Sequence, residues 1–567
     1  MNHTRPDSRY QLGIVFVFRL LLGLSVIATV ILAWVPPVSR DALTHHLAVP
    51  KLYILHGGMV EIPHVPFSYY PMNLDLLYIL PLYLGNDILP KFIHYAFALL
   101  TAGLIYAYLK KRLDTLAACA GALIFLTIPV ILKLSITVYV DLGLVFFTTA
   151  ALIYLFRWLE DGLRFRHLAV SAVFCGLGLG TKYNGLVTLF LLVLFVAYAF
   201  IHANTGQDGN RRQVKAVGYA VAYFIIAMLV FSPWMVRNAL WTGNPVYPLY
   251  KSAFKSAPAK AIAAAGAESV AEKKKRTGSW NHLATRRIIY QESWAQIALI
   301  PLRIFFTGQD DNPKYFDGKL NPFLLLLSVF AFVYARRKES SFRFEIRLLL
   351  IFAILFVLIA ILRTSIRIRY IAPVIPALTI LSAFGLHNLI RYFNDREHRL
   401  TRQVGTAFTA AVVVLMLGMN TAYVVQQFKQ VKPLDYISGK VTREAYILRH
   451  RPAYAVVDYA NRHLPQDARI MGLFMGNRRY YCDRQLIFGE SRLTKEVTRA
   501  QSTDSVGRSL NKQGYTHLIL RFDLLKRWSG SLNDRERAIL VDFLNRDLEL
   551  IYRKSGYGLY RLTHLDA

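Results

Sequence analysis

Three carboxylates and a small set of cations stand where long apolar runs give way to polar chain. Asp41 comes shortly after the first apolar run, Asp141 opens a later one, and Asp75 follows Tyr69-Tyr70-Pro71. Lys182 separates two apolar runs, Arg237 ends another, and Arg363, Arg367 and Arg369 cluster between two more. A carboxylate at such a boundary can take a proton from a hydroxyl or amine acceptor as that acceptor attacks. Cations at the same depth can hold the charge that develops on a departing phosphate. Together they point to group transfer at a membrane surface. Each has a plainer reading beside it: Asp41 and Asp141 suit the cap of a helix, and Lys or Arg at the end of a span snorkels to the interface.

The elements that must position these residues are apolar helices. Over half of the 567 residues are apolar, and they fall in unbroken runs that a water-soluble core does not need. The clearest cover 12–34, 92–109, 116–132, 142–156, 186–201, 216–231, 348–362, 371–390 and 404–425, with weaker ones at 168–180 and 322–335. The expectation is an α-helical polytopic membrane protein of about eleven spans. The formal charge of +32 does not indicate nucleic acid, because the basic clusters fall on every second short loop. Lys110-Lys111-Arg112, Arg157 with Arg164 and Arg166, Arg211-Arg212 with Lys215, Arg336-Arg337-Lys338, and Arg391 with Arg396, Arg399 and Arg402 all lie inside if the N-terminus is cytoplasmic. The first run lacks a small-residue cleavage site and reads as a retained anchor.

This topology puts the loop 36–90, the stretch 237–320 and the tail outside. The membrane body is expected over 1–426, and 427–567 as an extracytoplasmic α/β domain. In that tail, helical patterns cover 454–463 and 534–545, and strands cover 469–474, 485–488 and 515–522. A hairpin of 548–552 and 557–562 turns on Ser555-Gly556. From Asp41 to His56 the leucines fit an amphipathic interfacial helix interrupted at Pro50. Cys119, Cys175 and Cys482 offer no disulfide framework. His45, His46, His56 and His64 lack metal-ligand spacing, and Asp310-Asp311 reads as a turn before Asn312-Pro313, so no metal or other cofactor is expected. Tyr69 and Tyr70 could stack on a sugar or belong to an interfacial belt. The Ala- and Lys-rich stretch 257–275 reads as a mobile loop or exposed helix, and 251–280 as a segment able to close over the site.

Five stretches carry a family resemblance: Asp41 with HLAVPKLY, YVDLGLVFF around Asp141, GLGTKYNGL around Lys182, SPWMVRNALWTGNPVYP from Ser232, and IRIRYIAPVIPAL from Ile366. In this order the chain resembles the bacterial GT-C glycosyltransferases, the superfamily of the protein O-mannosyltransferases and the lipid A aminoarabinose transferases. The resemblance implies an inner-membrane enzyme moving a hexosyl or pentosyl unit from an undecaprenyl-phosphate type donor to a cell-envelope glycan, lipid or protein. It implies an inverting displacement with Asp41 as general base. Asp141 and Asp75 would serve the acceptor as further carboxylates, and Lys182, Arg237 and Arg369 would hold the lipid phosphate. Protein O-mannosyltransferases carry a paired Asp-Glu where this chain has Asp41-Ala42, which argues against a protein mannose acceptor. Two other classes stand beside this reading. A flippase of lipid-linked sugars would show broken helices in matching halves, and no halves are visible. A scaffold recruiting partners through its tail would leave the boundary carboxylate without a use.

Overall fold

The computed structural model describes residues 9–206, 209–251, 253–254, 282–332, 340–500 and 505–563. The expected loop or helix at 257–275, and most of the segment 251–280 read as closing over the site, lie outside the described residues. Each of the eleven apolar runs contains helix among its described residues. In chain order these are α1 (Arg9–Ala33), α2 (Ala48–Leu55, the helix of the first loop), α3 (Leu89–Arg112), α4 (Thr115–Thr127), α5 (Pro129–Ser135), α6 (Asp141–Glu160), α7 (Phe165–Leu179), α8 (Gly185–Ala203), α9 (Gly209–Thr242), α10 (Phe323–Phe330), α11 (Ser340–Arg363), α12 (Ile375–Asn394) and α13 (Arg399–Val431). Eight of the described helices are long and apolar enough to cross a membrane. α4 and α5 form a pair bent by 65°, the geometry of a broken span or a re-entrant loop, with the bend where Pro129 removes a helical hydrogen bond. α7 has 15 residues and the described part of α10 has 8, both short of a straight crossing. The protein is a multi-pass membrane protein.

Packing sorts these helices. α6 and α12 are buried on most sides, whereas α1 and α13 show most of their apolar surface outward, as helices facing lipid do. Close contact needs small residues: a Cβ on Gly385 of α12 would stand 1.9 Å from the Leu327 carbonyl oxygen of α10. At one end of the bundle Arg112, the last residue of α3, donates to Glu345 Oε1 of α11 at 2.8 Å and also pairs with Glu160, the last residue of α6. The same helices therefore present Asp141, the first residue of α6, and Arg363, the last residue of α11, at the opposite end. That opposite end carries the first loop and the C-terminal sheet.

The C-terminal region follows the alternation of its sequence. Helix α14 (Tyr454–His463) precedes β1 (Arg469–Leu473), β2 (Gln485–Phe488), β3 (His517–Arg521), β4 (Leu548–Lys554) and β5 (Tyr557–Leu562). The sheet order is β2-β1-β3-β5-β4, with β1 parallel to β2 and β3, and β5 antiparallel to β3 and β4. Ser555 and Gly556 both take positive φ, 53° and 81°, which a two-residue hairpin turn requires. Val456, Ile470, Ile519 and Leu559 fill one face of the sheet, and Leu493, Leu518 and Phe543 the other.

Candidate active site

Asp41 stands at the head of the first-loop helix, after Pro36 and Pro37 have ended α1. The chain enters a π-helical turn, Ala42–His46, and resumes as α2 after Leu47. This corrects the expected interruption at Pro50. Pro50 lies in the first turn of α2, where its missing N–H would have had no intrahelical partner, so it breaks nothing. Asp41 occupies the cap position but makes no side-chain capping bond. Its Oδ2 instead accepts from Arg369 Nη2 at 2.6 Å, across 328 residues of sequence. Burial raises the proton affinity of the Asp41 carboxyl, but the Arg369 guanidinium, together with His45 and His46 beside it, holds it well below the usual carboxylate range. The Asp41 side chain keeps 22% of its surface.

A second pair stands beside the first. Lys182 Nζ donates to Asp141 Oδ1 at 2.6 Å, and Asp141 Oδ2 has no partner although Asp141 keeps only 3% of its surface. Asp141, too, makes no cap. The Tyr370 ring joins the pairs, 5.3 Å from the Arg369 guanidinium and 5.2 Å from Lys182 Nζ, and Tyr139 stands 5.0 Å from the same guanidinium. These rings fix the cations by cation–π attraction while leaving their N–H groups free to bond. Two carboxylates and two cations converge at the mouth of the helix bundle.

Asp75 is placed differently. It is buried and shares a 2.7 Å hydrogen bond with His46 Nδ1. Burial pushes Asp75 up to about 7 and pushes His46 down to about 3, so one proton between them leaves the pair neutral. Asp75 thus braces the π-helical turn that carries Asp41. His45 stacks on Phe67 at 4.3 Å.

Arg237 is bonded to neither pair. Its Nη2 donates to the Tyr70 carbonyl at 3.0 Å, and its guanidinium lies 4.5 Å from the Trp234 ring and 4.9 Å from that of Trp241. Its Nη1 is buried and unpartnered. Tyr69 is fully enclosed, packed on Trp241 and Tyr247, so neither of its faces is open to a sugar. Tyr70 is half-buried against Tyr183, the neighbour of Lys182. Of the arginine cluster, Arg363 is exposed, Arg367 pairs with Asp317 at 3.2 Å, and Arg369 alone turns to Asp41. Asp310 accepts from Tyr423 and Asp311 lies near Lys133, in the turn expected of them. Among the described residues no group of three or more His, Cys, Asp or Glu is arranged to hold a metal ion.

Sequence reasoning missed Tyr139 and Tyr370, whose only signal was adjacency to Asp141 and Arg369. It also missed the hold of the C-terminal region on the first loop. Arg479 N and Tyr480 N both donate to the Leu43 carbonyl, at 3.0 and 3.1 Å. Lys51 Nζ of α2 reaches the carbonyls of Tyr480 and Cys482 and, at 2.7 Å, Asp483 Oδ1. Arg451 Nε donates to the Val38 carbonyl at 2.6 Å and Tyr481 Oη to that of Pro37 at 2.7 Å.

The helix bundle with its first-loop helix and C-terminal sheet is an arrangement shared with solved membrane proteins. Residues 86–236 match the family described as dolichyl-phosphate-mannose-protein mannosyltransferase. ArnT from Cupriavidus metallidurans, bound to undecaprenyl phosphate, superposes with a TM-score of 0.54 at 15% identity, covering 97% of this chain and 98% of that one. The oligosaccharyltransferase AglB from Archaeoglobus fulgidus, in complex with an inhibitory peptide and a dolichol-phosphate, gives 0.52 at 13% identity, covering 97% of this chain and 75% of that one. Another structure of the Archaeoglobus fulgidus oligosaccharyltransferase, with Zn and sulfate, gives 0.56 at 13% identity over 90% of this chain and 69% of that one. No curated protein matches the sequence. The chain has the GT-C fold, from the first span to the C-terminal sheet.

Proposed function

We propose that this protein is an inverting glycosyltransferase that moves a sugar from a polyprenyl-phosphate donor, of the undecaprenyl-phosphate type, to a cell-envelope acceptor. The site works at the outer face of a bacterial inner membrane, with the N-terminus cytoplasmic. The observation that carries this reading is the Asp41–Arg369 pair at the bundle mouth, where a carboxylate spared from capping faces a cation suited to phosphate. That the similar ArnT structure holds undecaprenyl phosphate supports a lipid-phosphate donor.

In this mechanism Asp41 takes the proton of the acceptor hydroxyl or amine. The acceptor atom bonds to the anomeric carbon as the bond to the phosphate oxygen breaks, and the polyprenyl phosphate leaves with the electron pair. Arg369, with Lys182 beside it and Arg237 nearby, receives the developing charge. A carboxylate held by an arginine is a weak base, and the arrangement contains its own remedy. Donor phosphate competes for Arg369, and as the guanidinium turns to it, burial raises the basicity of Asp41. Base activation is thereby tied to an occupied donor site. Asp141 keeps Lys182 in place with Oδ1, and its Oδ2 is buried beside the pair. Tyr70, half-buried, is an aromatic residue available to a sugar.

The test uses purified protein in lipid nanodiscs with radiolabelled polyprenyl-phosphate sugars and cell-envelope extracts. Native protein transfers label and releases lipid phosphate, and Asp41→Asn lowers turnover by about a hundredfold or more with donor binding retained. Donor binding without turnover in the native protein would turn the reading to a transporter of lipid-linked sugar.

A further inference from the structure

The sheet and the first loop enclose a cavity of about 660 Å³, within the range of small-ligand sites. Its walls come from the β4–β5 hairpin, the start of the helix after β3, the chain before α14 and the β1–β2 connection, and Leu43 borders it. Leu43 is two residues from Asp41 and lies in the same π-helical turn.

The lining is cationic beyond what the fold uses. Arg451, Arg478, Arg521 and Arg553 face it against a single carboxylate, Asp523. Asp523 is taken by Arg521, with bonds of 2.7 and 2.8 Å. Arg451, Arg478 and Arg553 form no ion pair among the described residues. Arg451 is spent on the Val38 and His450 carbonyls and Arg553 lies over the Phe522 ring, 4.8 Å away. Arg478 makes one long bond to the Met475 carbonyl at 3.4 Å, and its Nε is buried without a partner. Burial, then the neighbouring charges of Arg451 and Arg40, push Arg478 down to about 10. Crowding of like charge in a half-buried cavity is costly unless an anion enters. Tyr481 and Tyr557 also line these walls, and aromatic rings pack against the apolar face of a sugar ring.

We infer that this cavity is the acceptor subsite and that it takes an acidic glycan, one whose sugar bears a phosphate or carboxylate, through Arg478 and Arg553. This rests on the transferase reading for the word acceptor. The binding site itself does not. The anion would engage the free guanidinium edges while the adjoining sugar reaches past Leu43 toward Asp41.

The test measures binding to the full-length protein in nanodiscs by isothermal titration. The probes are a uronate-containing disaccharide, a phosphorylated disaccharide and a neutral disaccharide of the same linkage, with undecaprenyl phosphate as a control. The acidic probes bind on the order of tenfold or more tighter than the neutral one at low salt. The preference disappears in Arg478→Gln/Arg553→Gln, while undecaprenyl phosphate binds as before. Comparing the two acidic probes tells carboxylate from phosphate. Equal binding of charged and neutral probes to native protein, or a preference that survives the double variant, overturns the inference. So does a variant that loses undecaprenyl phosphate, which would make the cavity part of the donor site. Acidic-probe binding in a protein that never turns over donor would sink the transferase reading and leave the site.

Discussion

At the scale of single residues, the chemistry depends on what each charge is prevented from doing. Asp41 and Asp141 both begin helices, where a side-chain cap is the ordinary use of an aspartate, and neither makes one. Each is turned to a cation instead. Because Arg369 holds Asp41 below the ordinary range against burial, removing that charge lets burial dominate and the carboxyl titrates higher. In Arg369→Gln the acid limb of kcat/KM, which reports the free enzyme, is expected to move to higher pH, and kcat/KM at neutral pH to fall by about a hundredfold. An unmoved acid limb would mean that Arg369 does not set the state of Asp41. The same measurement on Lys182→Gln leaves the Asp41 limb nearly in place, because Lys182 pairs with the other carboxylate.

At the scale of elements, α2 and its π-helical turn are a short, amphipathic piece that could not hold a shape alone. They are held from below by the Asp75–His46 bond and from above by the β1–β2 connection, which donates twice to the Leu43 carbonyl. Lys51 is the main tether between α2 and that connection. Lys51→Met leaves the Tyr480 and Cys482 carbonyls without their donor, a loss of about 1–3 kcal/mol. Amide exchange over residues 42–55 should then quicken while α6 and α12 keep their protection. Unchanged exchange in that window would show that the tether does not order the turn. The π-helical turn itself was not legible from sequence. Periodicity sees an apolar stripe, and the one extra residue per turn is chosen by where Asp41 and His46 must point.

At the scale of the whole molecule, the ion pairs segregate to the two ends of the bundle. Arg112, Glu160 and Glu345 tie one end, and the paired carboxylates and the sheet occupy the other. The charge pattern of the short loops predicts that the first end is cytoplasmic. Single cysteines test this, since Cys119, Cys175 and Cys482 are buried and contribute little background. Gly58→Cys, in an exposed turn of the first loop, is expected to react with a membrane-impermeant maleimide in cells whose outer membrane is permeabilised. Arg164→Cys, exposed at the other end, is expected to react only after the inner membrane is broken. The reverse pattern would put the site on the cytoplasmic side and overturn the proposed orientation.

Much of the architecture is written locally. The apolar runs, Gln485 to Phe488 as a strand, Tyr454 to His463 as a helix and the Ser555-Gly556 hairpin follow from the period of the side chains and from which residues tolerate positive φ. The charge pattern adds an orientation, and the ordered motifs add Asp41, Asp141, Lys182 and Arg369 as residues to watch. Which of these meet is another matter. Asp41 finds Arg369, and Leu43 finds Arg479, only when distant chain is folded back onto the first loop. The same folding encloses Tyr69 while leaving Tyr70 half-buried, and it pairs Asp75 with His46. Local pattern determines helices and tight hairpins because their backbone hydrogen bonds are settled within a few turns. Partner choice among charges is settled by which side chains share one desolvated volume, and only the tertiary structure defines that volume.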